Sequence, residues 1–131
     1  MGNSEDWQKV AAEKLNNAGY DVFNPRRESW DSSWEQSIHN LDFKEQVVWE
    51  LDALDQATAV LMYLMPGTQS PISLLELGLH AAHEKMIVVC PDGFWRKGNV
   101  EVVCERFNIP LYESIEDAMQ VILDISSDAG I

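Results

Sequence analysis

The stretch AVLMYLMPGTQSPISLLELGLHAAHEKMIVVCPDG, residues 59–93, decides the fold. Its opening run, 59–65, is continuously apolar, the pattern of a strand buried on both faces in a parallel sheet. Pro66-Gly67 breaks the run. Ser70-Pro71 then starts a helix, because serine caps well and proline suits the first helical position. The pattern carries that helix to about Lys85. Residues 86–90 form a second buried strand, ended by Pro91-Asp92-Gly93.

The same alternation continues on both sides. Upstream, Ser4 caps a helix with Glu5 and Asp6 in its first turn. Trp7, Val10, Ala11 and Leu15 share its apolar face, and Gly19 stops it. Residues 20–23 read as a short strand ending at Asn24-Pro25, and 26–40 as a long loop with a possible helical turn. A second helix over 41–57 carries Phe43, Val47, Leu51 and Leu54 on its stripe. Downstream, 98–107 reads as helix and 109–112 as strand. Ser114 caps a last helix to about Ser126, and 127–131 fray. Strands alternating with helices predict an α/β domain spanning 1–131, with a parallel sheet covered on both faces. Such sheets bind ligands at the carboxyl ends of their strands. Residues 24–34, 65–70 and 91–99 leave strands there and are expected to line the site.

Composition narrows the function. A net charge of -13 repels nucleic-acid backbones and anionic membranes, so neither is an expected partner. An anionic small molecule needs local cations, and with only nine Lys and Arg, the pairs Arg26-Arg27 and Arg96-Lys97 stand out. Cys90 and Cys104 form no CxxC pair, so neither a zinc site nor a disulfide scaffold is suggested. No signal peptide or apolar run of membrane length appears, which predicts a cytoplasmic protein.

Glu76 is the strongest chemical candidate. Ile72 and Leu79 share its helical face, and a carboxylate on an apolar face costs free energy unless paired or hydrogen-bonded. Gly78 costs about 1 kcal/mol against alanine in a helix interior, which points to close approach of a backbone or ligand. The plain alternative is a Glu76 that faces solvent or caps a neighbour. Glu50, between Val47 and Leu54, borders its stripe, and a structural role fits it better than a catalytic one on pattern alone. Asn24 suits a sugar hydroxyl or base edge, Arg26 and Arg27 suit an anion, and Trp30 and Trp34 suit stacking on a base. Equally, the arginines could neutralise an acidic surface and the tryptophans pack a satellite core. His80 and His83 follow Glu76 at i+4 and i+7, a metal-ligand spacing, but no further ligand is evident and no metal is expected. Cys90 ends a strand with no base paired to it, so a nucleophilic role is not expected.

Asp6-Trp7-Gln8, Asn24-Pro25-Arg26-Arg27, Gln46 to Leu54, Ser70 to Leu79 and Phe94 to Val100 together resemble the nucleoside 2-deoxyribosyltransferase-like family. The resemblance implies a flavodoxin-like or Rossmann-like three-layer sandwich. It also implies cleavage or exchange of the N-glycosidic bond of 2′-deoxynucleosides or their monophosphates, with no cofactor. It places the family's nucleophilic glutamate at Glu76 and the acidic partner at Glu50, with Asp52 as fallback. Substrate contacts are then expected from Asn24, Arg26, Arg27, Trp30, Ser70 and Asn99. The family normally opens with a strand and a glycine-containing loop, whereas here Met1-Gly2-Asn3 directly precedes the first helix. The usual first strand is therefore expected to be missing. That leaves about four parallel strands, 20–23, 59–65, 86–90 and 109–112, and predicts a homodimer or aggregation. A non-catalytic binder of a nucleotide or NAD-derived ligand is the alternative function. A regulatory subunit completed by a partner is a third.

Overall fold

The computed structural model describes residues 7–22 and 33–129, with side chains up to 124. The chain forms two compact units, 1–57 and 58–131.

The first unit holds α1 (Trp7–Asn17) and α2 (Leu41–Gln56). Gly19 terminates α1 at φ +98°, where a side chain would be strained. Its N–H donates to Asn16 O at 3.1 Å, and that of Tyr20 to Leu15 O at 3.0 Å, a Schellman closure. Ala11 is buried on α1, but Val10, expected on the same face, is exposed. Helix α2 begins where Asn40 Oδ1 accepts from the Phe43 N–H at 3.1 Å. Its most buried side chain is polar Gln46, while Leu51 of the expected stripe is exposed. Residues 20–22 form no strand, and Phe23 and Ser4 lie outside the described residues.

The second unit is a run of parallel βα units: β1 (Val60–Tyr63), α3 (Pro71–His80), β2 (Met86–Val89), α4 (Lys97–Phe107), β3 (Leu111–Tyr112) and α5 (Ile115–Ala129). The sheet order is β1-β2-β3, with Val60 opposite Met86 and Val88 opposite Leu111. Three strands therefore stand among the described residues against the four expected, each shorter than its apolar run. Pairing nonetheless continues past β1, where the Leu64 N–H donates to Val89 O at 2.8 Å.

Side chains alternate across a strand, which sorts the layers. Met62, Leu64, Met86, Val88 and Cys90 share one core with Leu77 and Ala81, and with Val100 and Cys104 of α4. Val89 belongs to the opposite face, and α5 packs on β2 and β3. Helices thus cover both faces, the α/β flavodoxin-like arrangement. Helix α3 ends at His80 rather than Lys85 and tightens into a 3₁₀ turn, Ala81–His83, closed by Glu84 at φ 58°. Ser114 caps α5 as expected, its Oγ accepting from the Asp117 N–H at 3.1 Å. No described helix is long and apolar enough to cross a membrane.

The buried thiols make this core sensitive to alkali. Burial is the main cause that raises both Cys90 and Cys104 from the ordinary 9.0 to about 11. The folded state therefore holds protons that the unfolded chain releases between these values. Their stabilising contribution is complete below about pH 9 and is lost as pH rises toward 11. Denaturant midpoints should fall across that window. The double variant Cys90→Ala/Cys104→Ala should flatten this dependence, and an unchanged slope would refute the linkage.

Candidate active site

Because the strands are parallel, the segments 64–70 and 90–96 leave the same edge of the sheet. The first runs from β1 into α3 and carries Ser70. This residue does not cap α3 with its side chain, as expected, but adopts a left-handed conformation at φ 47°. Its backbone oxygen accepts from the Leu74 N–H at 3.0 Å. Its Oγ instead lies 2.8 Å from Thr68 Oγ1, which in turn donates to Met65 O at 2.8 Å. These bonds brace the segment from inside and hold Ser70 at the mouth of the helix.

Glu76 sits in the second turn of α3 and is half-buried. Its neighbours revise the sequence expectation. Leu77 and His80 face the core, whereas Ile72 and Leu79 are 62% and 51% exposed. Glu76 therefore lies on the flank of the helix rather than on a buried apolar face. The backbone approach expected at Gly78 is not found, since a Cβ built there meets no atom of the described residues within 4 Å. No packing among the described residues holds this position to glycine, so Gly78→Ala should stabilise the chain by about 1 kcal/mol through helix propensity alone. A thermal melt should show a rise of about 3 °C. A fall in Tm would reveal an approach to this helix face. Unchanged turnover would show that no substrate needs the space.

Glu50, in α2, is also half-buried, and its Oε1 accepts from Gln46 Nε2 at 3.1 Å. The buried Gln46 thus orients it, a relation the i, i+4 spacing already allowed. Asp52, the fallback, is exposed. Asn24, Arg26, Arg27 and Trp30 lie outside the described residues, while Trp34 is half-buried. Asn99 is exposed in the first turn of α4.

The second segment, expected to line the site and leading into the Arg96-Lys97 pair singled out in the sequence, holds a contact that sequence reading did not foresee. Trp95 Nε1 donates to Gln69 O at 3.0 Å, tying the exit of β2 to the exit of β1. Gly93, at φ +98°, would place a Cβ 3.4 Å from Pro66 Cβ, so the two segments also approach closely there. Lys97 Nζ bonds Asp92 at 2.7 Å and Glu113 at 2.5 Å. These bonds, Asp92 first, raise its ammonium above the ordinary lysine range. It is a structural cation that joins the ends of β2 and β3.

His80 Nδ1 lies 3.0 Å from His83 Nδ1, with the rings roughly perpendicular. Among the described residues no three His, Cys, Asp or Glu side chains form a group able to hold a metal. Cys90 is buried, and its raised pKa leaves little thiolate near neutrality, which opposes a nucleophilic role.

Comparison with family models gives a match to the one described as nucleoside 2-deoxyribosyltransferase like, over residues 1–94. That span includes Glu50, Ser70 and Glu76, and ends before Asn99. A search of curated proteins found no match. The fold, the order of the matching stretches and the extent of the match agree: the chain belongs to the nucleoside 2-deoxyribosyltransferase-like family.

Proposed function

We propose that this protein cleaves or exchanges the N-glycosidic bond of 2′-deoxynucleosides or their monophosphates, with Glu76 as nucleophile. Membership of the family over 1–94, a span that holds the Glu76 segment, is the observation that carries this reading. The half-buried Glu76, in the helix that follows the braced segment after β1, supports it. In the first step a Glu76 carboxylate oxygen bonds to the anomeric carbon. The C–N bond breaks, its electron pair leaves with the base, and Glu50 or a water supplies the proton the base needs. In the second step water or another base attacks the anomeric carbon and releases the carboxylate. This is the double displacement of retaining glycosidases, and it needs no redox or organic cofactor. Substrate contacts from Asn24, Arg26, Arg27, Trp30, Ser70 and Asn99 belong to the same reading, as do a single domain over 1–131, a cytoplasmic setting and a homodimer.

Incubation with deoxynucleosides and deoxynucleotides, with and without an acceptor base, tests the reaction. Base release without acceptor identifies a hydrolase, and base exchange identifies a transferase. Tight binding without turnover would replace this reading with the non-catalytic one.

A further inference from the structure

We propose that Trp95 and Arg96 form a phosphate-binding step at the carboxyl edge of the sheet, which favours 2′-deoxynucleoside 5′-monophosphates over unphosphorylated nucleosides. The inference rests on the glycosidic reading above for the nucleoside part of the ligand. The phosphate part rests on the geometry of these two residues.

Trp95 is 52% exposed, so burial does not hold its large ring in place. Its polar end does, through the bond from Nε1 to Gln69 O, and the nearby Gly93–Pro66 approach fixes the two segments against each other. The ring is thus presented at the surface on a braced mount. The Arg96 guanidinium carbon lies 4.5 Å from the centroid of that ring, within cation–π range. That contact holds the guanidinium over the ring face, and its N–H groups remain able to donate to a ligand.

Charge separates Arg96 from its neighbour. Lys97 is engaged by Asp92 and Glu113. Among the described residues Arg96 meets no carboxylate, although the chain has 22 acidic residues against nine Lys and Arg. A guanidinium held over a ring and, among the described residues, not neutralised suits two parallel hydrogen bonds to a phosphate monoester. A nucleoside without phosphate offers it no anion. The surrounding net charge of -13 makes such a local cation necessary for any anionic substrate.

Binding of each 2′-deoxynucleoside, its 5′-monophosphate and inorganic phosphate to the full chain, measured by titration calorimetry, tests the proposal. Arg96→Gln should lower the ratio of monophosphate to nucleoside affinity about 10- to 100-fold, the loss expected for charge-assisted bonds. Arg96→Lys should keep part of the ratio, because a point charge replaces the planar fork. Trp95→Phe, which removes the indole N–H, should weaken the preference with Arg96 still present. An unchanged ratio in Arg96→Gln, with the thermal melt intact, would overturn the proposal. Inorganic phosphate bound as tightly as the monophosphates would also overturn it, by showing a free-anion site. Two mixed results separate this proposal from the reaction itself. Loss of phosphate preference in a protein with no turnover keeps the step and rejects the glycosidic reading. Glu76-dependent turnover with an unchanged ratio does the reverse.

Discussion

Replacing Glu76 with alanine should reduce turnover on the order of 10³-fold or more while the fold survives. The expected size follows from what is removed. A nucleophile that forms the covalent intermediate acts only along the reaction path, and its loss removes that path rather than slowing one step of it. Survival of the fold follows from position. Glu76 is half-buried on the flank of α3, beside exposed Ile72 and Leu79, and alanine is the best helix former. Glu76→Gln should lose turnover equally, because an amide cannot form the glycosyl ester, and should retain substrate binding. Turnover of both variants, with a thermal melt of each, is the measurement. Near-normal activity in Glu76→Ala would place the nucleophile elsewhere. A lost melt would assign Glu76 to stability.

Leu64→Ala should cost about 3 kcal/mol of stability and lower Tm by about 10 °C. Leu64 has no exposed surface, lies in the same core as Met62, Val88, Cys90 and Phe94, and extends the pairing of β1 through Val89 O. Truncation removes transfer free energy and leaves a cavity that a close-packed core fills only in part. That loss is a large share of the roughly 5–15 kcal/mol that holds a domain together. It falls where the strand passes into the segment that carries Thr68 and Ser70, so KM should rise along with the loss of stability. Leu75→Ala provides the contrast. Leu75 is 59% exposed and should change stability by no more than about 0.5 kcal/mol. Equal effects of the two substitutions would refute the assigned core.

Local patterns made the strand and helix order of the second unit legible. The apolar runs at 59–65 and 86–90 contain β1 and β2, and Pro66-Gly67 and Pro91-Asp92-Gly93 stand where those runs end. These signals depend on neighbouring residues, so sequence alone carried them, as it did the order of the family stretches. The facing of α3 was a different matter. Ile72, Leu74, Leu75, Leu77 and Leu79 make the helix apolar nearly all round, and periodicity cannot choose a buried side from such a pattern. Packing against the sheet chose Leu77 and His80, which moved Glu76 from an expected buried face to the flank. Ser70 carried the composition of a cap, but its turn directs Oγ to Thr68. The bond from Trp95 to Gln69 spans 26 residues, and Lys97 joins two loops through Asp92 and Glu113. No local rule encodes such contacts. They arise because parallel strands deliver distant segments to one edge of the sheet, and only the tertiary structure decides which side chains meet there.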